Sequence, residues 1–144
     1  MNEPFLDIAA VVTYLQNGLV PNTVREVREI GAKSGADPSQ RATVLPRIIV
    51  ISEARDPREQ SGLAKHIRIE ERLLLIVQIG DAAFNDARAG STMRDICAEV
   101  YDIMHDVEVV AEWQPARYRG GRLLSIDDTT YSWAERYLFA RTCR

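Results

Sequence analysis

Residues 67–80 read IRIEERLLLIVQIG, and this run constrains the fold more than any other part of the chain. At strand spacing, successive side chains point to opposite faces. One face then carries Ile67, Ile69, Glu71, Leu73, Leu75, Val77 and Ile79. The other carries Arg68, Glu70 and Arg72, turns apolar at Leu74 and Ile76, and ends at Gln78. Such a strand is buried on one face throughout and on the second face only in part. From 67 to 79 it spans about 43 Å at roughly 3.3 Å per residue, against a usual length of about 20 Å. A strand that long is expected to run past its own core.

The flanking segments supply its neighbours. PFLDIAAVVTYLQNGL, residues 4–19, places Phe5, Ile8, Ala9, Val12, Leu15 and Leu19 on one helical stripe. Pro4 suits a first helical turn, and Gly18 with Pro21 closes the pattern. TVREVREIG spaces Val24, Val27 and Ile30 by three and reads as a bulged strand. VLPRIIVISEA carries four consecutive apolar residues, Ile48 to Ile51, with Pro46 at the strand's start. RDPREQSGLAKH reads as a long exposed hairpin connection, and DAAFNDARAG, residues 81–90, as a connector. Ser91 or Thr92 is expected to cap a helix over TMRDICAEVYDIMHD, with Met93, Ile96, Cys97, Val100, Tyr101 and Met104 on its buried stripe. VEVVAEW, a turn-rich QPARYRGG and RLLSI follow. YSWAERYLFAR then alternates Tyr131, Trp133, Glu135, Tyr137 and Phe139 against Ser132, Ala134, Arg136, Leu138 and Ala140.

These elements add up to an α+β fold: a mostly antiparallel twisted sheet of about five strands with two helices packed on one face. Two helices of about 15 residues, roughly 22 Å each, cover one sheet face and leave the second. Yet Ile48 to Ile51 and Leu73 to Ile76 are apolar toward both. Either the sheet curls on itself or a neighbouring subunit covers this face; the subunit is the one expected over Leu74 and Ile76, with Arg68, Glu70 and Arg72 as solvated or interfacial rungs.

At 144 residues the chain is expected to be one domain, 1–144, able to bury about two-thirds of its unfolded surface. A net charge of -3 gives no global argument for nucleic acid or an anionic membrane. Only Lys33 and Lys65 among the 18 basic residues are lysine, and arginine suits forked carboxylate or phosphate pairing. Cys97 and Cys143 do not form a disulfide framework, which fits a reducing cytoplasm. The N-terminal segment is not expected to be a signal peptide, since Asp7 interrupts its apolar residues early, and no apolar run approaches the roughly 18 residues of a membrane span.

Nucleophile elbow, P-loop, dinucleotide fingerprint, HExxH and CxxC are all missing. Asp102, His105 and Asp106 share a helical face and are the best candidates for a metal-dependent hydrolase, as ligands or as acid and base; a solvated helix end is the plainer reading. Asp95, Glu99, Asp102 and Asp106 make an acidic stripe able to dock against arginines such as Arg47, Arg55 and Arg58 of another copy. RYRGGR, residues 117–122, offers Arg117, Arg119 and Arg122 to a phosphate backbone as a nucleic-acid-binding loop; a flexible turn is the alternative.

The order of elements resembles the tail-terminator proteins of long-tailed bacteriophages, with the related minor tail and tail-completion proteins. The N-terminal helix, LPRIIVISEARD, RIEERLLLIVQIGD, TMRDICAEVYDIMHD and YSWAERYLFART carry the likeness over residues 4–141. The resemblance implies a lambda-type tail-terminator-like subunit of a homohexameric ring, a structural virion protein with no catalytic residues and no cofactor. The ring would cap the tail tube, end its polymerisation and join the tail to neck and head proteins. DNA in transit would explain a basic 117–122 loop. Assembly would take place in the host cytoplasm.

Overall fold

A computed structural model describes residues 5–30, 45–59, 67–80, 88–126 and 130–143. Five strands and two helices follow one another as α1 (Ile8–Leu19), β1 (Glu26–Glu29), β2 (Arg47–Glu59), β3 (Ile67–Gly80), α2 (Arg88–Met104), β4 (Arg117–Ile126) and β5 (Thr130–Cys143). They form an open sheet of order β1-β2-β3-β5-β4, antiparallel except where β1 runs parallel to β2. The expected α+β fold is the observed one.

The long strand is as anticipated, and β2 and β5 accompany it along its length. Ile69, Leu73, Leu75, Val77 and Ile79 of β3 join Ile48 and Val50 of β2 and Tyr137 and Phe139 of β5 in one buried cluster. Both helices contribute to that cluster, α1 through Val11, Leu15 and Leu19 and α2 through Met93, Ile96, Val100 and Met104. Residues four apart on a helix share a face, so each helix meets this sheet face with one apolar stripe. Gly18 allows the two helices to meet, since a Cβ there would stand 2.9 Å from Ile103 Cδ1.

Several boundaries differ from expectation. Helix α1 begins at Ile8, because Asp7 caps it by accepting the Ala10 N–H at 3.1 Å. Phe5 consequently lies off the helix and 53% exposed, while Leu6 is buried. Helix α2 starts at Arg88, so Ser91 and Thr92 lie inside it and cap nothing. RDPRE is strand rather than connection: β2 runs to Glu59, and Pro57 pairs opposite Ile69. Pro57 is tolerated because this part of β2 has no partner on its other side among the described residues, as at a sheet edge. Residues 60–66 and 81–87 of the two expected connections lie outside the described residues. VEVVAEW is not a strand; the segment is closed by hydrogen bonds from Asp106 N to the Ala116 carbonyl and from Ala116 N to the Val107 carbonyl.

The expected loop RYRGGR is also strand. It forms the first part of β4, and the register against β5 shifts between Tyr118 and Gly121. Gly120 has φ +97° there, the left-handed backbone that glycine adopts without a steric penalty. The glycines thus build a β-bulge within a strand.

The second sheet face corrects the expectation of a bare apolar surface. Ile76, Ile49 and Ala134 stand side by side across β3, β2 and β5, and all three are buried in the single chain. Leu74 is half-buried. A polar row flanks this patch at one end, where buried Arg47 donates from Nε to Gln78 at 2.7 Å and Gln78 donates to Ser132 at 3.1 Å. Ile76 is thus 6% exposed within the single chain, and Leu74 is the more open of the two.

Candidate assembly surfaces

The second face beyond Leu74 is where charge collects. Alternation puts Arg68, Glu70 and Arg72 of β3 there, and a bulge in β2 between Ser52 and Ala54 turns Asp56 to the same side. Arg72 meets Asp56 at 3.2 Å, and Arg68 meets Glu70 at 3.5 Å while also donating to Gln114. Arg136, opposite Leu74, holds Glu53 by three hydrogen bonds of 3.0 to 3.3 Å. This hydrogen-bonded guanidinium keeps the Glu53 carboxyl below its ordinary range. Arg119 joins Asp56, Glu70, Arg72 and Arg136 around a shallow hollow, and Arg117 borders the next one with Arg68 and Gln114. Arg117 and Arg122 stand opposite Leu138 and Ala134, so they too belong to this face.

The structure thus brings together two groups that the sequence separates, the rungs of the long strand and the RYRGGR arginines. Arg136 and Glu53 were the members missed; strand alternation places Arg136, but only the β2 bulge brings Glu53 to it. Arg55 is placed elsewhere. It points to the helix-covered face, where Nε meets Glu71 at 2.7 Å and the guanidinium lies 4.3 Å from the Phe5 ring centre. Arg58 is opposite Arg68 in register.

The acidic residues of α2 have a different setting. Asp95 and Asp102 are exposed, and Glu99 accepts a hydrogen bond from the Thr23 hydroxyl, tying α2 to the turn after α1. His105 Nδ1 accepts the Tyr118 N–H at 3.2 Å, and its ring stacks on Tyr101. Its remaining nitrogen faces Asp106 at 3.4 Å. One imidazole nitrogen is therefore spent on the backbone of β4. Among the described residues no three His, Cys, Asp or Glu side chains converge as a metal site. His105 ties the end of α2 to β4 and Asp106 ties it to Ala116 just before that strand, while Asp102 stays exposed; among the described residues the three do not form a metal site for the hydrolase reading.

The free edge of β4 is the second surface. Leu123, Leu124 and Ile126 are 46%, 39% and 57% exposed on an outer strand with no described partner on its far side. Beneath this edge, a cleft of about 160 Å³ separates α2 from the sheet, lined by Met93, Arg94, Cys97, Tyr131, Trp133 and Glu135. Glu135 is only 4% exposed. Its Oε1 accepts the Trp133 indole N–H at 3.1 Å, and the Tyr118 hydroxyl and the Cys97 thiol lie against the same carboxylate as further donors of this chain. Burial first, and Glu135 as hydrogen-bond partner and charge next, push the Cys97 thiol and the Tyr118 phenol well above their ordinary values.

An apolar sheet edge lies beside a charged sheet face, surfaces of the kind that structural proteins present, and no catalytic set converges among the described residues. The chain belongs to the phage tail terminator protein family, whose model matches residues 1–144. No curated protein matches the chain. Membership gives it a structural role in a phage tail and a place in the virion, among other tail and neck proteins. Among the described residues no helix is long and apolar enough to cross a membrane.

Proposed function

We propose that this chain assembles into a closed ring, of six copies as its family resemblance implies, that caps the tail tube, ends tube polymerisation and joins the tail to the neck and head. The observation that carries the associative part is the edge of β4. An outer strand of ten residues with three exposed apolar side chains is a template for association, and isolated soluble domains normally blunt such edges. The opposite edge, β1, has four residues and a charged sequence. Unlike edges suit head-to-tail contacts, which close into rings when the rotation per subunit allows. Sedimentation velocity and negative-stain imaging test the reading. A discrete ring that stops tube growth is expected, and a strict monomer that leaves tube length unchanged overturns it.

A second reading concerns the arginine face. Arg117, Arg119 and Arg122 are exposed and form no ion pair among the described residues, whereas Arg68, Arg72 and Arg136 are partnered by Glu70, Asp56 and Glu53. Three unneutralised guanidinium groups on one strand are suited to sequence-independent contact with passing DNA. Binding to duplex DNA is then expected to weaken with salt and with neutralisation of these three residues. Affinity unchanged in the triple variant removes the reading.

A further inference from the structure

We propose that the hollow where β3, β4 and the segment leading into β4 meet is a seat for a phosphate group, held by Arg68, Arg117, Arg119 and Gln114. The inference rests on the same arginine face as the DNA reading and deepens it: Arg68 and Gln114 join the site, and Arg122 falls outside it.

Two neighbouring hollows on the charged sheet face share Arg119 and Leu138. In the first, Asp56 and Glu70 stand among Arg72, Arg119 and Arg136, and Asp56 pairs with Arg72 at 3.2 Å. The second, of about 250 Å³, is lined by Arg68, Arg117 and Arg119, and no carboxylate of the described residues is part of its wall. Arg68 meets Glu70 through Nε at 3.5 Å and donates to Gln114 Oε1 at 3.2 Å. Arg117 and Arg119 are exposed and form no ion pair among the described residues. Glu70 thus offsets one of three charges, and two are left.

The donors also have a frame. Gln114 N donates to the Ala140 carbonyl at 2.8 Å, which holds the segment before β4 against β5. With its Oε1 taken by Arg68, Gln114 keeps its amide Nε2 as a further donor. Strand β5 runs between β3 and β4, so buried Leu138 and Ala140 form the floor. An apolar floor lowers the local dielectric, and charges interact more strongly there than in open water.

This arrangement selects among anions. A planar carboxylate is satisfied by one guanidinium fork. Donors from three segments, with two unanswered charges, suit a tetrahedral oxyanion, and arginine is the cation suited to phosphate. The DNA backbone and free phosphate are the two sources of such a group.

The experiment uses the full chain, with amide chemical shifts followed at constant ionic strength during titration with inorganic phosphate, and with acetate for comparison. Phosphate is expected to shift the amides around Gln114 and Arg117 saturably, and acetate to bind at least about fivefold more weakly. Arg68→Gln, Arg117→Gln and Arg119→Gln are each expected to weaken phosphate binding about tenfold, and Gln114→Leu about threefold. Arg122→Gln is expected to stay within about twofold of the wild type. Should a glutamine variant melt early, Arg117→Lys, which keeps the charge and loses the fork, is expected to fall between it and the wild type. Duplex DNA that competes with phosphate makes the backbone the source; phosphate binding without competition makes free phosphate the source, and either supports the seat. Shifts that never saturate, acetate that binds as tightly, or an Arg122→Gln loss equal to that of Arg117→Gln overturns it. DNA binding that is then weakened alike by neutralising Arg117, Arg119 or Arg122, and not by Arg68→Gln or Gln114→Leu, leaves the DNA reading standing and the seat overturned.

Discussion

Two glutamates on one sheet face have opposite surroundings. Glu71 of β3 is fully buried and takes hydrogen bonds from the Leu6 N–H, the Ser52 hydroxyl and Arg55 Nε. Glu135 of β5 is nearly as buried, and its donors among the described residues are neutral, the Trp133 indole N–H at 3.1 Å, the Tyr118 hydroxyl and the Cys97 thiol. Glu71 draws the N-terminal segment, β2 and β3 to one point, and its carboxylate is finished within the chain. Glu135 sits beneath Gly121, and no arginine among the described residues pairs with it. Burial alone does not distinguish the two carboxylates; the inventory of donors, one with an arginine and one without, does.

The largest expected effect tests that distinction directly. Glu71→Gln is expected to lower subunit stability by about 2–4 kcal/mol, since it removes the charge that a part-buried arginine and two further donors surround. Glu135→Gln is expected to change it by less than about 0.5 kcal/mol. Urea titrations of the dissociated subunit measure both, and equal losses would break the comparison. Next comes Gly121→Ala, expected to cost about 1–3 kcal/mol by crowding Glu135 and Trp133, with a shift in tryptophan fluorescence as a second readout. Asp7→Ala removes the cap of α1, the residue beside the Leu6 N–H that Glu71 accepts. A loss of about 1 kcal/mol is expected, visible as a lower thermal midpoint. Glu53→Gln supplies the smallest effect, from a carboxylate on the opposite, wetter face. Arg136 holds the folded-state pKa of Glu53 below its ordinary 4.5, so the pair's contribution is complete above that pH and is lost as pH falls through the folded value. Below about 1 kcal/mol is expected at neutral pH for so exposed a pair, and wild type and variant should converge in acid.

Much of this was legible along the chain. Strict alternation in 67–80 and 131–140 placed every side chain of β3 and β5 on its correct face, because the period of a strand is two whatever its neighbours are. The stripes of α1 and α2 were legible in part: Leu15, Leu19, Met93, Ile96, Val100 and Met104 are buried as expected, but Val11 was missed, and Phe5, Ala9 and Tyr101 are exposed. Local signals failed where a backbone irregularity was involved. The glycine pair at 120–121 reads as a turn, but its partner across the sheet is β5, distant in sequence, which converts a turn signal into a bulge. Pro57 likewise suggests a loop until the absence of a described outer neighbour makes its missing N–H harmless. The depth of Ile49 and Ile76 on the second face was not legible from counting helices. Glu135 was seen as a member of an aromatic face, yet its neighbours along the chain do not show that Tyr118 and Cys97, from β4 and α2, meet its carboxylate.

The three central strands, of 13, 14 and 14 residues, also have a mechanical consequence. Their hydrogen bonds lie across the strand direction, so a pull along the strands loads all the rungs together. A pull across them opens the rungs one at a time, as a zip does. The molecule is thus stiff in one direction and peels in the other, and it peels first at its two outer strands. Any neighbour seated on those strands would close the seams at which the described sheet begins to peel.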